Sequence, residues 1–315
     1  MRGKIRPPVY WYGGKFYLVS RLTEIIDTLP PHRTYVEVFG GAGTLLLNKP
    51  RSEIEVYNDL DEDLVNLYRV IRNHETFEQL RTMLELTPYS RKEQLEATLL
   101  LSSNEKERLS PVERAAIFFT AIRQSFSGSG VSRKPSWSVS VNLSRCGMSK
   151  TTACWLSSIS QLYEIHMRLR TVQIECDDFR NIIKRFDTDR TLFYCDPPYV
   201  HGSRANSATS MYKHEMTDND HGELVELLCG IRGYAIVSGY DSPIYKRLEG
   251  AGFSRIEVKI PLRAAKTQYR TSDTPDTELM QADRTEIIWV SPLKKRTWVY
   301  TQAELFQPPL SAPES

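Results

Sequence analysis

Strand-like and helix-like segments alternate in two separate blocks of this chain, and the stretch between the blocks contains no strand. In the first block, Lys15 to Leu29 carries Phe16, Leu18, Val19, Leu22, Ile25, Ile26 and Leu29 at helical spacing and stops at Pro30-Pro31. A strand, Tyr35 to Phe39, runs into Gly40-Gly41-Ala42-Gly43 and a short helix at Leu45-Leu46-Leu47. A second strand, Ile54 to Tyr57, ends at Asn58-Asp59 before a helix from Leu64 to Ile71. The second block holds a helix over about 153–169 and strands at Val172–Glu175, Leu192–Cys195, Ala235–Ser238, Ile256–Ile260 and Glu286–Val290. Helices are predicted near 218–229 and 243–250. This alternation predicts a parallel α/β sheet. The last two strands lack a helix between them and read as an antiparallel pair. Residues 75 to about 123 read as consecutive helices, one opened by the capping box Ser110-Pro111-Val112-Glu113. A loop rich in Ser and Gly follows over 124–150. The simplest architecture is one open sheet interrupted by a helical insertion at about 75–150, with a poorly ordered tail from 303.

Composition narrows the function classes. The apolar fraction of 40% is enough to bury a core, and a net charge of +2 excludes a histone-like polycation, so any nucleic-acid contact must be local. Five cysteines without a C-x-x-C pair argue against a zinc cage or disulfide framework and point to a reducing, cytoplasmic setting. There is no run of roughly 18 apolar residues, so no membrane span is expected. From Arg123 to Lys150 the chain carries Arg123, Arg133, Lys134, Arg145 and Lys150, no acid, and the aromatics Phe126 and Trp137. That pattern suits a polyanion with stacking bases, although taken alone it reads more simply as a solvated basic loop.

Three features carry chemistry. The glycines after the first strand allow close backbone approach to a ligand, but Gly41 and Gly43 lack the third glycine of a dinucleotide site, and an ordinary strand-to-helix turn is the competing reading. Asp59 follows that turn by about 20 residues, the place from which a carboxylate accepts ribose hydroxyls; Asp59 or Asp61 could equally cap the next helix. The decisive segment is Tyr194-Cys195-Asp196-Pro197-Pro198-Tyr199, at the ligand-binding end of a strand. Its prolines stiffen the turn and leave carbonyls free to accept beside the Asp196 carboxylate, with the Tyr199 ring alongside. Two acceptors and an aromatic plate fit the amino group of a planar base. Pulling on both amine hydrogens favours a pyramidal nitrogen with its lone pair aimed at an electrophile. Cys195 reads as a buried strand thiol, and His214-Glu215 has no histidine at the spacing of a zinc helix, so no metal is expected.

With Trp11-Tyr12-Gly13-Gly14-Lys15 and Glu37-Val38-Phe39-Gly40-Gly41-Ala42-Gly43 in the same order, the chain resembles the Dam-type, D12 class (α group) DNA adenine-N6 methyltransferases over roughly 10–75 and 150–290. The resemblance implies a Rossmann-like α/β sheet binding S-adenosylmethionine (AdoMet) across 1–74 and 151–302, with 75–150 as an inserted target-recognition domain. Trp11, Lys15, Phe39, Gly40, Gly41, Gly43, Asp59, Asp178, Phe179 and Asp196 would contact AdoMet. Asp196, Pro197, Pro198 and Tyr199 would hold the flipped adenine. Arg123, Phe126, Arg133, Lys134, Trp137 and Arg145 are the candidate DNA contacts, and 201–210 would close over the base. DNA is the expected partner of a chain expected to act as a monomer. Val38 stands where the family often has Pro, and Arg123–Val141 lacks the Asn-and-Phe pattern of GATC-recognising members. The competing functions are methylation of cytosine N4 or of RNA, a DNA-binding regulator without catalysis, and a nicotinamide oxidoreductase, the last disfavoured by the missing glycine.

Overall fold

A computed structural model describes residues 4–11, 13–126, 137–199, 215–260 and 284–293. Arg133, Lys134, the 201–210 segment and the tail lie outside the described residues.

The first block gives α1 (Val19–Thr28), β1 (Thr34–Glu37), α2 (Thr44–Asn48), β2 (Ile54–Asn58) and α3 (Glu62–Arg72). The stretch between the blocks gives α4 (His74–Leu86), α5 (Arg91–Leu101), a short 3-10 turn and α6 (Pro111–Arg123). The Ser110–Glu113 capping box opens α6 as its sequence indicates. The second block gives α7 (Lys150–Ser160), α8 (Leu162–Leu169), β3 (Val172–Glu175), α9 (Phe179–Phe186), β4 (Thr191–Cys195), α10 (Asp218–Gly230), β5 (Tyr234–Gly239), α11 (Lys246–Gly250), β6 (Ser254–Ile260) and β7 (Arg284–Val290).

The seven strands form one sheet in the order β3-β2-β1-β4-β5-β7-β6. β1 to β5 are parallel, whereas β7 runs antiparallel between β5 and β6. The expected antiparallel end pair is therefore present, but β7 is inserted into the sheet and β6 forms its edge. β1 pairs with β2 on one side and β4 on the other, which makes the β1–β4 boundary the switch point, where α/β sheets bind ligands.

Successive strand residues alternate between two cores, because side chains in a strand point to opposite faces. Tyr35, Tyr57, Tyr194 and Ile236 enter the core covered by α1 to α8. Val36, Val56, Phe193 and Val237 enter the core covered by α9, α10 and α11. Phe77, Leu80, Leu84, Phe118 and Phe119 of α4 and α6 belong to the first core, so the helices between the two blocks complete one layer of the sheet.

Three elements differ from the sequence reading. The first helix begins at Val19 instead of Lys15, because Lys15 to Leu18 forms a separate turn in which the Leu18 amide donates to the Lys15 carbonyl. The 153–169 segment is two helices meeting at Gln161, with Trp155, Ile159, Leu162, Ile165 and Leu169 keeping one buried stripe through the junction. Helix α9 was not anticipated between β3 and β4; Asp178 caps it by accepting from the Arg180 amide, and Ile182 and Ile183 bury its apolar face.

Candidate active site

The site is assembled from the turns that follow β1, β2, β3 and β4, plus the segment before α1. After β1, the Val38 amide still donates to the Tyr194 carbonyl, carrying the β1–β4 ladder one residue past the strand. The backbone then turns through Gly41 (φ 47°) and Gly43 (φ 57°), left-handed conformations that favour glycine. Two stacked tyrosines beneath the turn, Tyr57 and Tyr68, with ring centroids 4.5 Å apart, donate their hydroxyls to the Gly41 and Ala42 carbonyls. Asn58 at the end of β2 donates to the carbonyls of Val38 and Asp177 and accepts from the Asp177 amide, so one side chain joins the ends of β1, β2 and β3.

Asp59 accepts from the Gly41 amide at 2.7 Å and the Asp61 amide at 2.8 Å. Asp61 is the residue that caps α3. Of the two acids that the sequence offered as caps of the next helix, Asp61 takes that task and Asp59 is tied to the glycine turn. Phe39 and Phe179 lie with ring centroids 5.7 Å apart. Trp11, Lys15, Phe39, Gly40, Gly41, Asp59, Asp178, Phe179, Asp196 and Pro198 all line a single cavity at the switch point. Gly43, Pro197 and Tyr199 adjoin it without lining it.

The charged centre of the site is Lys15, only 4% exposed. Its ammonium pairs with Glu286 at 2.6 Å and Asp196 at 3.2 Å, and donates to the Tyr199 hydroxyl. Burial alone would lower the lysine pKa, but the Asp196 and Glu286 carboxylates outweigh it and hold the ammonium above the ordinary lysine range. Burial raises the Asp196 carboxyl, against the pull of Lys15. The Cys195 thiol is buried and pushed up by the same desolvation, which leaves it protonated and unreactive. Tyr240 stacks on Tyr199 with centroids 4.2 Å apart.

Four residues of this site escaped sequence reasoning. Glu37 is buried at the end of β1, accepts from the Leu46 amide and the Tyr35 hydroxyl, and lines the cavity. Tyr240 backs Tyr199. Arg180 anchors α9 to α10 through ion pairs with Asp178, Asp220 and Glu223. Glu286 closes the charge cluster from β7. The one signal available for Glu286 was an acid inside a strand, immediately before Ile287-Ile288-Trp289.

Of the residues expected at DNA, Arg145 and Phe126 are exposed. Trp137 is half-buried against Tyr89, with ring centroids 4.7 Å apart. Arg123 faces inward: it donates to the Pro7 and Pro8 carbonyls and its guanidinium lies over the Tyr10 ring. It fixes the segment leading to Trp11, and no phosphate contact is assigned to it.

Residues 11–259 match the profile of the D12 class N6 adenine-specific DNA methyltransferase family. The chain belongs to this family. Type II methyltransferase M.MjaIII of Methanocaldococcus jannaschii is 26% identical over 243 residues, spanning 71% of this chain and 79% of that one. DNA adenine methylase of Escherichia coli K12 is 24% identical over 242 residues, spanning 72% of this chain and 77% of that one. A solved structure described as an RNA methyltransferase from Pyrococcus horikoshii covers 88% of this chain and 82% of its own at 10% identity and a TM-score of 0.34. As a D12 class member the protein is a site-specific DNA adenine methyltransferase, and its seven-stranded α/β sheet is the Rossmann-like methyltransferase sheet. Among the described residues no helix is long and apolar enough to cross a membrane.

Proposed function

We propose that AdoMet is the methyl donor, that it occupies the switch-point cavity, and that Asp196-Pro197-Pro198-Tyr199 presents the N6 amino group of a flipped adenine to it. The observation that carries this reading is the convergence of the glycine turn, Asp59 and Asp196 on one cavity, with Asp196 held by a buried lysine.

The lining suits this donor. Phe39 and Phe179 offer aromatic faces to a purine, with the Asp178 carboxylate nearby for its amino group. The Asp59 carboxylate, which lines the cavity beside the glycine turn, suits vicinal hydroxyls as an acceptor. Bound AdoMet would supply a methyl group on a cationic sulfonium, an electrophile that needs no activation and whose sulfur would keep the electron pair of the broken S–CH3 bond and leave as a neutral thioether. The rest falls to the chain's own residues. Asp196 accepts one N6 hydrogen and the Pro197 carbonyl the other, so the amine lone pair is freed from the ring and aimed along the line of displacement. As N6 gains the methyl carbon, it sheds a proton to the Asp196 carboxylate. Extracting the base from the duplex costs a few kcal/mol, and stacking on Tyr199, worth about 1–3 kcal/mol, offsets much of it.

Arg145 and Phe126, with Arg133 and Lys134 beyond the described residues, are proposed to meet the DNA. We also propose that 75–150 is the target-recognition unit by function, although its helices share a core with the sheet. Incubation with methyl-labelled AdoMet and duplex DNA, followed by digestion to nucleosides, tests the reading. N6-methyladenine is the expected product. Label on cytosine N4, or none on DNA, overturns it.

A further inference from the structure

Glu286 is fully buried inside β7. A carboxylate in such a place persists only if its partners compensate for lost hydration. Its partners here are two residues of the reaction centre: Lys15 at 2.6 Å, and the Tyr199 hydroxyl, 3.3 Å from each carboxylate oxygen. The lysine ammonium has three hydrogens and no acceptor, and three acceptors meet it: Glu286, Asp196 and the Tyr199 oxygen. The Tyr199 hydroxyl accepts from Lys15 and passes its own hydrogen to Glu286.

Two consequences follow. Lys15 lies 2.6 Å from Glu286 and 3.2 Å from Asp196, so its charge is shared between the two carboxylates. Asp196 is thereby not saturated by the lysine, and keeps acceptor capacity for an amine. The Tyr199 ring is also fixed at its far end, by a group on a strand 87 positions later, as well as by its own loop.

We propose that Glu286 is a positioning residue for methyl transfer: through Lys15 it sets the Asp196 carboxylate, and directly it anchors Tyr199, so that both present the target base. This rests on the roles given above to Asp196 and Tyr199. The cluster holds two carboxylates against one ammonium, an excess of negative charge that complements a cationic donor. Without Glu286, Lys15 would turn its whole charge on Asp196 and weaken it as an acceptor.

The test uses the full chain, duplex DNA and labelled AdoMet, with a fluorescent adenine analogue at the target position in a parallel substrate. Glu286→Gln keeps the shape and an acceptor but removes the charge. Its kcat is expected to fall about 10- to 100-fold, with a smaller analogue signal on binding and a donor KM close to that of the unchanged protein. Glu286→Asp keeps the charge one methylene further away and is expected to recover part of kcat. Unchanged kcat and analogue signal in a Glu286→Gln protein that circular dichroism shows to be folded overturn the proposal. If Glu286→Gln does not fold, Glu286→Asp decides: reduced kcat in a folded protein supports the proposal, and unchanged kcat overturns it. If the unchanged protein forms no N6-methyladenine, the underlying functional reading fails first and this inference falls with it. A methylating protein indifferent to Glu286→Gln sinks only the inference.

Discussion

Gly40 lies so close to the Tyr57 ring that a Cβ on it would stand 2.3 Å from Cε2. The ring cannot retreat, since it stacks on Tyr68 and its hydroxyl is bound to the Gly41 carbonyl. Gly40→Ala is therefore expected to cost about 1–3 kcal/mol of stability and to push the turn into the donor cavity. Gly222→Ala in α10, where a Cβ meets nothing within 4 Å, is the control, expected to be neutral or stabilising by up to about 1 kcal/mol. Urea unfolding and equilibrium binding of AdoMet read both effects.

Asp196→Ala separates chemistry from folding. Lys15 retains Glu286 and the Tyr199 hydroxyl, so no buried cation is left unpaired. Methyl transfer is expected to fall at least roughly 100- to 1,000-fold, while the melting temperature stays near that of the unchanged protein. Label transfer together with a thermal melt decides it, and retained turnover would remove Asp196 from its assigned role.

Asp59 and Tyr199 serve different partners, and their variants should differ accordingly. Asp59→Ala releases the Gly41 and Asp61 amides and should weaken AdoMet binding, with DNA-induced changes in the base analogue intact. Tyr199→Ala should do the reverse, since it removes a stacking surface worth about 1–3 kcal/mol to the base. Calorimetry with the donor and fluorescence of the analogue distinguish the two; equal effects on both ligands would refute the division.

Stability should fall with rising pH because of Glu37. Burial pushes its carboxyl up to about 8 from an ordinary 4.5, with the Tyr35 hydroxyl and Leu46 amide opposing only in part. The folded chain thus keeps a proton that the unfolded chain gives up above 4.5. Its contribution is complete below 4.5, declines as pH rises, and is lost by about 8. Glu37→Gln cannot ionise and should flatten this slope, with a difference on the order of 2–4 kcal/mol between acid and alkaline ends. Urea midpoints at a series of pH values for both proteins provide the check.

Arg145 is exposed in the basic loop. If it neutralises one phosphate, Arg145→Ala should weaken DNA binding at every sequence and reduce the dependence of log affinity on log salt by about 0.9. Anisotropy titrations at several salt concentrations measure that slope; an unchanged slope places Arg145 off the DNA path.

What could be read from the residues alone was whatever is encoded over a few neighbours. The glycine turn, the capping box at Ser110 and the Asp196-Pro197-Pro198-Tyr199 turn state their conformations locally, because glycine, proline and capping side chains act on adjacent backbone. Strand and helix positions followed from apolar periodicity, and their alternation specified a parallel sheet. The family relationship was legible for the same reason, since its motifs are short and contiguous. Periodicity failed where the signal was brief, as in α9, or where one apolar stripe continued across a junction, as at Gln161. It could not tell which of Asp59 and Asp61 caps the following helix, because both precede it and only the approach of the glycine turn separates them. Nor could it turn Arg123 inward, since the Pro7 and Pro8 carbonyls that hold it lie more than a hundred residues away. Glu286 is the clearest case: it meets Lys15 across 271 positions only because β7 inserts between β5 and β6. Chain geometry over a few residues determined the motifs; the packing of distant strands decided which charges share a buried space, and so which residues complete the site.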